Sequence, residues 1–319
     1  MKPVLFAFHA PLVGEVTFPA YFTLLTIGLA VALWITSREA ARIGLDRELI
    51  IDTNLWMVVW GVIGARVLHL IADGHAHEYI DLCLDPKKIP AVDALVSRCT
   101  ADAQCGYDYL CDTARHVCYP PRDCLAAIKV WRGGLAYYGG FLFAFGFGIW
   151  FTRRHKMNVL RVADLGAPAI ALGLFFGRLG CWWNGCCYGQ RSASSLGVIF
   201  PRYSPAWRAQ LDAHVIGPLD AAKAVLPTQL FESGACLAIF GVLYFLVRPH
   251  KSRDGQVMAA LLMLYAIARS VVEIWRDDDR GTILSGHLST SQIISIPLFA
   301  AGALLAWRVR HSRAATSSE

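Results

Sequence analysis

The chain contains seven long runs of mostly apolar residues, and these limit its possible folds more than any other feature. The runs lie at about 17–37, 52–72, 134–152, 162–182, 228–247, 256–274 and 289–308. A helix that crosses a bilayer needs about 20 such residues, and it satisfies its backbone polar groups within one segment. We therefore predict an all-α integral membrane protein with about seven transmembrane helices, forming one polytopic domain over residues 1–319.

Basic residues between the runs predict the orientation. They cluster after the first, third, fifth and last runs, at Arg38, Arg42 and Arg47, at Arg153, Arg154, Lys156 and Arg161, at Arg248, Lys251 and Arg253, and at Arg308, Arg310 and Arg313. With seven spans, all four clusters face one side, which the positive-inside rule assigns to the cytoplasm. The N-terminus is then periplasmic and the C-terminus cytoplasmic, and the segments 73–127 and 183–227 are periplasmic. Because orientation accounts for the net charge of +6, nucleic acid is not an expected partner.

The segment 73–127 is a cysteine-rich insert. It contains six of the ten cysteines, Cys83, Cys99, Cys105, Cys111, Cys118 and Cys124. Cysteines this dense in an oxidising compartment favour disulfides, and a zinc site is disfavoured because no short C-x2-C pair is present. The sequence does not choose among the possible connectivities. It also leaves open whether the insert recognises a partner or acts as a stabilising cap.

Charged residues lie inside the apolar runs, near their predicted outer ends. Arg66 lies in the second run, Arg178 in the fourth, and Arg269 and Glu273 in the sixth. One explanation is snorkelling, in which each long arginine separately reaches the headgroups. The short side chain of Glu273 would instead need a partner at that depth, and Arg269 lies one helical turn away. We therefore predict a shared polar site formed by three helices.

Such a site suits a phosphate group. A guanidinium binds two phosphate oxygens at once, which a lysine ammonium does not do. The predicted ligand is therefore an anionic phospholipid of the outer leaflet, with its acyl chains remaining in membrane lipid. Glycine pairs at 133–134 and 139–140 open the third run. They indicate either irregular backbone that lines a cavity or close helix packing.

Four motifs occur in an order that resembles one known family. They are the Gly-Gly-x-x-x-x-Gly-Gly entrance at 133–140, the Gly-Arg-x-Gly stretch that starts at Gly177 and closes in Gly189, the Arg-x-x-x-Glu helix at 269–273, and Leu-Ser-Thr-Ser-Gln-Ile at 288–293. Together these motifs are similar to the bacterial prolipoprotein diacylglyceryl transferase family. The resemblance extends from Tyr21 to the last run and excludes the 83–124 part of the insert.

The resemblance implies a seven-span protein of the bacterial inner (cytoplasmic) membrane with a periplasmic N-terminus. Family members transfer diacylglycerol from phosphatidylglycerol to the lipobox cysteine thiol of a preprolipoprotein and release glycerol phosphate. The resemblance therefore implies a transferase of lipoprotein biosynthesis. Its partners would be phosphatidylglycerol, membrane lipid and the signal peptides of preprolipoproteins, and no cofactor or metal is expected.

The resemblance also implies roles for individual residues. Arg178 and Arg269 would hold the phosphate, and Glu273 would orient one of them or assist proton movement. Tyr21 is similar to a tyrosine at the start of the family's first span, and Gly189 matches the family's closing glycine. The predicted catalytic residues are Tyr21, Tyr138 and Glu273, and the predicted substrate-binding residues are Arg178, Arg269, Asn184, Gly189 and Arg66.

Three positions differ from the family's usual motifs. Tyr138 stands where many members have histidine, Cys181 where the motif has asparagine, and Cys186 where it has glutamate. A tyrosine, with a reference pKa of about 10, is a poorer base near neutral pH than a histidine. Glu273, a phosphate oxygen or water are the alternatives for accepting the proton of the substrate thiol.

The cysteines at the end of the fourth run need an explanation of their own. Either Cys181 forms a disulfide with Cys186 or Cys187, since a bond between adjacent cysteines is strained, or the group contains a reactive thiol. Cys236 is predicted to be a buried apolar residue. Two alternatives to the family's function remain open: a related lipid transferase with another acceptor, and a membrane thiol–disulfide protein on the same scaffold.

Overall fold

The structure, a computed structural model, describes residues 4–10, 14–71, 74–89, 99–102, 105, 109–129, 134, 136–217, 219–277, 282–283 and 288–311. Within these ranges a long helix occurs at each of the seven predicted runs. They are α1 (Ala20–Arg42), α2 (Arg47–Ile71), α4 (Tyr137–Arg154), α5 (Val159–Asn184), α7 (Thr228–Gly241, continued by a π-helical turn, Val242–Val247), α8 (Gln256–Glu273) and α9 (Thr290–His311). Two short helices lie between them, α3 (Ala76–Leu84) and α6 (Pro205–Asp212).

Six helices in the described part of the chain are long and apolar enough to cross a membrane. They are α1, α2, α5, α7 with its π-helical turn, α8 and α9. The helix α4 is not among them, because its 18 residues include four glycines, two tyrosines and two arginines that reduce its mean hydropathy. The predicted helical membrane fold is confirmed, although the described residues are mostly rather than entirely helical. The number of spans and the side on which each terminus lies remain predictions.

Three short antiparallel hairpins accompany the helices in the described ranges. They are β1 (Val4–Ala10) with β2 (Gly14–Pro19), β3 (Leu110–Asp112) with β4 (Val117–Tyr119), and β5 (Thr282–Ile283) with β6 (Leu288–Ser289). The strand β2 ends directly before α1, so the first helix begins later than the predicted run at 17–37. Pro19 fits this junction because a proline has no N–H group to donate within a helical turn.

One compact unit, Met1–Ile51 with Met157–Glu319, is built around α5. The helix α5 packs against α1, α7 and α8, and α9 packs against α8. The contact between α1 and α5 is close, because a Cβ atom on Gly28 would lie only 2.7 Å from the Cβ of Phe176. Buried apolar side chains from α5, from α7 with its π-helical turn and from α8 form the main core: Ala167, Ala171, Ile239, Leu243, Val257 and Leu261.

A buried carboxylate joins the start of α5 to the start of α8. Asp164 is only 2% exposed. It accepts hydrogen bonds from the backbone N–H groups of Gly255 (2.8 Å) and Met258 (2.9 Å), and its Oδ2 lies 3.1 Å from the Nζ of Lys251. Because the first N–H groups of a helix have no partner within the helix, Asp164 caps α8 from a neighbouring helix.

The second compact unit, Asp52–Lys156, contains most of α2, the insert and α4. The helices α2 and α4 meet at two glycines, since a Cβ atom on Gly139 would lie only 2.2 Å from the carbonyl oxygen of Gly64. Because α4 begins at Tyr137, this glycine lies in regular helix. Of the two roles predicted for the second glycine pair, the structure therefore supports close helix packing.

The six cysteines of the insert form three disulfides. The pairs are Cys83–Cys124, Cys99–Cys111 and Cys105–Cys118. This pairing agrees with the predicted disulfide framework and selects one connectivity. The β3–β4 hairpin places Cys111 opposite Cys118, and Cys99, Cys105 and Cys118 form a small buried cluster. Since so small a cluster buries little apolar surface, the covalent bonds supply much of what holds the insert together.

Arg66, predicted to bind substrate, contacts backbone groups of its own unit. Its guanidinium donates hydrogen bonds to the carbonyl oxygens of Ala126 (2.6 Å), Ala127 (2.7 Å) and Gly134 (2.8 Å). The same group lies 4.8 Å from the ring centre of Tyr79. Arg66 thereby joins α2 to the end of the insert, and its role in substrate binding stays a prediction.

We expect Asp164→Ala to destabilise the protein by about 3 kcal/mol, because it leaves two backbone N–H groups and the Lys251 ammonium without a buried partner. The measurement is the midpoint of thermal unfolding in detergent, which should fall by several degrees. The matched control is Asp254→Ala, which removes the other carboxylate beside Lys251 from a position that is 32% exposed. A surface pair of this kind contributes little, so equal midpoints for the two variants would contradict the capping role.

Candidate functional site

A cluster of charged side chains lies buried in the first unit and is centred on Glu232. This residue lies on α7 and is 1% exposed. Its Oε1 lies 2.9 Å from the Nη2 of Arg178 and 3.9 Å from the Nε of Arg269, and its Oε2 lies 3.4 Å from the Nη1 of Arg276. Tyr265 donates a hydrogen bond of 3.4 Å to the same carboxylate. One carboxylate thus holds three guanidinium groups from α5, from α8 and from the residues just after α8.

A second carboxylate, Glu273, lies next to the first. Arg269 donates a hydrogen bond to Glu273, and the Nε of Arg276 lies 3.8 Å from the Oε2 of Glu273. Arg269 also donates a hydrogen bond of 2.6 Å to the hydroxyl of Ser291, in the first turn of α9. The ion pair that the sequence predicts between Arg269 and Glu273 is therefore present.

The described part of the cluster contains more positive than negative groups. Among the described residues, three guanidinium groups face two carboxylates, and all five side chains are mostly buried. Converging arginines away from water are costly without a counter-charge, so the arrangement suits a bound anion. Arg178 is the most accessible of the three arginines, with 16% of its side chain exposed. Among the described residues, Glu232 is its one ion-pair partner, and a guanidinium carries five N–H donors.

Tyr21 reaches this cluster from the first turn of α1. A Cβ atom on Gly180 would lie 2.9 Å from the ring of Tyr21 and 3.2 Å from its Cα. The absence of a side chain at Gly180 therefore lets α1 approach α5 one helical half-turn from Arg178. The Tyr21 hydroxyl interacts electrostatically with the Arg178 guanidinium. The structure thus brings together Tyr21, Arg178, Arg269 and Glu273 of the predicted site.

The end of α5 is a tightly held turn. Gly185 adopts a left-handed conformation with φ of 72°, and its N–H bonds back to the carbonyl of Trp182. The residue that follows, Cys186, donates its N–H to the carbonyl of Cys181 at 3.2 Å. A Cβ atom on Gly185 would lie 3.0 Å from Phe200, so the segment after the turn packs directly against it. The turn therefore has one fixed shape.

Asn184 and Gly189, both predicted to bind substrate, lie in this turn. Asn184 is exposed and hydrogen-bonds to the thiol of Cys186. Gly189 is buried, and a Cβ atom there would lie 2.5 Å from the carbonyl oxygen of Trp275. Gly189 also forms a β-bridge with Arg276. The close approach at Gly189 therefore positions Arg276. Contact of Asn184 or Gly189 with substrate stays a prediction.

Three thiols lie together in the same turn. The Sγ atoms of Cys181, Cys186 and Cys187 lie within 4.8 Å of one another, and all three cysteines are partly buried and not disulfide-bonded. The structure therefore differs from the disulfide interpretation of these residues. Hydrogen bonds with the thiols of Cys181 and Cys186 lower the pKa of the Cys187 thiol, and the nearby Arg178 lowers it further. Cys236 is buried in α7, as predicted.

Tyr138, the third predicted catalytic residue, belongs to the second unit. It is the second residue of α4, it is 51% exposed, and its ring packs edge-on against Tyr137. Its proposed role in catalysis stays a prediction.

The sequence argument missed Glu232, although the signal was present. This glutamate lies inside the predicted run at 228–247, and an acid within an apolar span is a functional-site candidate by itself. Gln229, on the same helix, was also missed. Its Nε2 donates a hydrogen bond of 2.7 Å to the carbonyl of Cys186, so α7 contacts the thiol turn as well as the arginines.

We expect Glu232→Gln to destabilise the protein by about 3 kcal/mol, because three arginines then share one carboxylate. The measurement is the midpoint of thermal unfolding in detergent. Glu78→Gln is the control, because the Glu78 side chain is 47% exposed and its ion-pair partner among the described residues is His75, which is itself 38% exposed. This variant should leave the midpoint within about 1 °C. A midpoint for Glu232→Gln that equals the control would show that this carboxylate does not hold the cluster.

Comparison with known proteins supports the resemblance found in the motifs. The family model described as prolipoprotein diacylglyceryl transferase matches residues 7–94 and 107–308. The unmatched residues between these ranges lie inside the cysteine-rich insert.

Individual relatives carry the same name. The chain is 27% identical over 288 residues to phosphatidylglycerol–prolipoprotein diacylglyceryl transferase 2 of Clostridium perfringens (strain 13 / Type A). The matched residues make up 90% of this chain and 89% of the relative. The transferase of Paenarthrobacter aurescens (strain TC1) is 26% identical over 306 residues, covering 96% of this chain and 83% of the relative. The transferase of Xylella fastidiosa (strain 9a5c) is 33% identical over 198 residues, covering 57% of this chain and 65% of the relative.

Proposed function

Because the chain belongs to the prolipoprotein diacylglyceryl transferase family, we propose that its buried arginine cluster transfers diacylglycerol from phosphatidylglycerol to a cysteine thiol of a prolipoprotein. The names of its relatives give both substrates. The observation that carries the assignment of the site is the convergence of three buried guanidinium groups, those of Arg178, Arg269 and Arg276, around Glu232.

The reaction forms a carbon–sulfur bond and breaks a carbon–oxygen bond. The acceptor sulfur attacks the phosphate-bearing carbon of the diacylglycerol unit. The electrons of the broken carbon–oxygen bond stay with the phosphate oxygen, and the headgroup leaves as glycerol phosphate. The thiol proton passes to a base or to the released phosphate. Negative charge develops on the leaving oxygen, and fixed guanidinium donors shielded from water stabilise that charge in the transition state.

The contacts of each residue suggest its part in this reaction. Arg178 is the most accessible arginine of the cluster, and it binds the phosphate through the donors that Glu232 does not occupy. Arg269 contributes a second guanidinium. Glu232 and Glu273 act as positioning residues, because they hold these guanidinium groups in place before substrate arrives. The Tyr21 hydroxyl interacts electrostatically with Arg178, so in this proposal it is a further contact for the same phosphate.

We place this site at the periplasmic face of the bacterial cytoplasmic membrane. Arg178, Arg269 and Glu273 lie near the ends of α5 and α8 that face away from the basic clusters after α1 and α7, and the positive-inside rule puts those clusters in the cytoplasm. The disulfides of the insert fit the oxidising side. The second substrate is then the signal-peptide region of a preprolipoprotein, which reaches the site from the same membrane, and nucleic acid has no part.

The test is an assay of the purified protein in detergent with labelled phosphatidylglycerol and a lipobox peptide. The peptide cysteine should gain diacylglycerol, and glycerol phosphate should appear.

We expect Arg178→Ala to lower kcat/KM by about 100-fold or more, because it removes a donor to the developing charge. The control is Arg208→Ala, which removes an exposed arginine of α6 outside the cluster and should leave kcat/KM within about twofold.

Two results would count against this proposal. One is a peptide that stays unmodified while the Clostridium perfringens relative is active in the same assay. The other is equal activity of the Arg178→Ala and Arg208→Ala variants, which would show that the arginine cluster does not take part in the reaction.

Thiol–disulfide exchange is a second candidate function, and the three neighbouring thiols, which are not disulfide-bonded, favour it. It predicts the opposite pattern of sensitivity. Cys186→Ser would abolish exchange with a disulfide substrate, while Arg178→Ala would be tolerated. Transfer of diacylglycerol by the Cys186→Ser variant would exclude this candidate as the main activity.

A further inference from the structure

The three thiols at the end of α5 have no part in the reaction above. Cys181, Cys186 and Cys187 nevertheless converge, with all three Sγ atoms within 4.8 Å of one another. Six other cysteines of the chain form disulfides in the insert, whereas these three are not disulfide-bonded. A structure that keeps three thiols side by side therefore needs a different explanation from disulfide bonding.

The backbone around the thiols is fixed by α7. The carbonyl oxygen of Cys186 accepts a hydrogen bond of 2.7 Å from Gln229, and that of Cys187 accepts one of 3.0 Å from Thr228. Both donors are fully buried. The turn thus keeps its shape without any bond between the sulfur atoms.

The conformation of Cys187 brings neighbouring side chains to one side. Side chains of consecutive residues in extended backbone point in opposite directions. Cys187 instead has φ of 62°, which is an uncommon conformation for a residue other than glycine. This turn lets the adjacent Cys186 and Cys187 both approach Cys181, and such local strain is characteristic of functional sites.

We propose that Cys181, Cys186 and Cys187 form a thiolate site for one thiophilic metal ion of the Zn²⁺ class. A Zn–S bond is about 2.3 Å long, so sulfur atoms around a tetrahedral zinc lie about 3.8 Å apart. The three sulfur atoms are within 4.8 Å of one another, so they need to close by about 1 Å at most. Thiolate ligands select soft metals over Mg²⁺ and Ca²⁺, which prefer oxygen.

Charge near the thiols supports an anionic metal complex. Three thiolates and one divalent ion carry a net charge of −1. The guanidinium of Arg178 interacts electrostatically with Cys181 and Cys187, and that of Arg276 interacts with Cys187. These positive groups offset the charge of the complex, as neighbouring charges do in other ion-binding sites.

An unpaired buried acceptor lies beside the same turn. The Oε1 of Gln229 is buried and has no hydrogen-bond donor among the described residues, although the Nε2 of the same amide bonds to Cys186. A buried acceptor without a donor is costly. Three protein ligands leave the fourth position of a tetrahedral ion to water. A water bound there could donate a hydrogen bond to the Oε1 of Gln229.

The test measures metal binding directly and does not depend on the transferase reaction. Protein is purified in detergent without reductant, so that the insert keeps its disulfides, and is stripped with a chelator. It is then mixed with excess Zn²⁺ and desalted, and bound zinc is counted by elemental mass spectrometry. We expect one zinc per chain, and we expect zinc to block maleimide labelling of the three thiols. Mg²⁺ should neither be retained nor block labelling.

Variants identify the ligands. Cys181→Ser/Cys186→Ser/Cys187→Ser should retain no zinc, while the matched control Cys236→Ala, which removes the free cysteine outside the cluster, should retain one. The three single serine variants are measured as well, in case the triple variant does not fold. Each should weaken zinc binding by at least about tenfold.

Three outcomes would overturn the proposal. They are no zinc retained by the parent protein, the same zinc content in the parent and in the folded triple variant, and unchanged affinity in all three single variants. A disulfide among these cysteines in the protein isolated from cells, detected by intact mass, would also reject it in favour of a bond between thiols.

Discussion

The placement of one carboxylate between three guanidinium groups governs the candidate site. Glu232 is almost fully buried on α7, and it pairs with Arg178 of α5 and with Arg269 and Arg276 at the end of α8. Arginines at this depth repel one another and are costly without a counter-charge. The carboxylate makes their convergence possible. Under the proposed function, the ion pairs that stabilise the fold are also the ones that position the guanidinium groups for an anionic headgroup.

Small residues make this convergence geometrically possible. The absence of a side chain at Gly28 and Gly180 lets α1 lie directly on α5, which carries Tyr21 to the end of the helix that bears Arg178. At Gly189 the chain passes against the carbonyl of Trp275 and bridges to Arg276. In membranes, helices associate largely through such close packing, because lipid is as apolar as the side chains. Glycine positions that look passive in the sequence therefore set the distances between the charged groups.

The cysteines divide into two groups with different physical settings. Those of the insert lie in a segment with little apolar core and are joined in pairs, as the sequence predicts for an oxidising compartment. Those at the end of α5 lie in a turn that α7 holds by hydrogen bonds to the carbonyls of Cys186 and Cys187. The second group does not need covalent bonds to keep its shape. Its thiols are not disulfide-bonded, and they lie near arginines that favour negative charge.

The class of fold and the charged residues of the candidate site could be predicted from the amino-acid sequence. Apolar runs of spanning length predict membrane helices, and the charges of Arg178, Arg269 and Glu273 inside those runs indicate a candidate site, because hydropathy and burial cost are properties of local composition. The packing of the helices was needed to show that Glu232 is the centre of the cluster, that three thiols meet, and which insert cysteines pair. These contacts join residues far apart in the chain, and their partners depend on how helices pack. Local sequence patterns do not predict that packing. They indicate that Glu232 is an acid within an apolar run, but they do not predict that it pairs with three arginines.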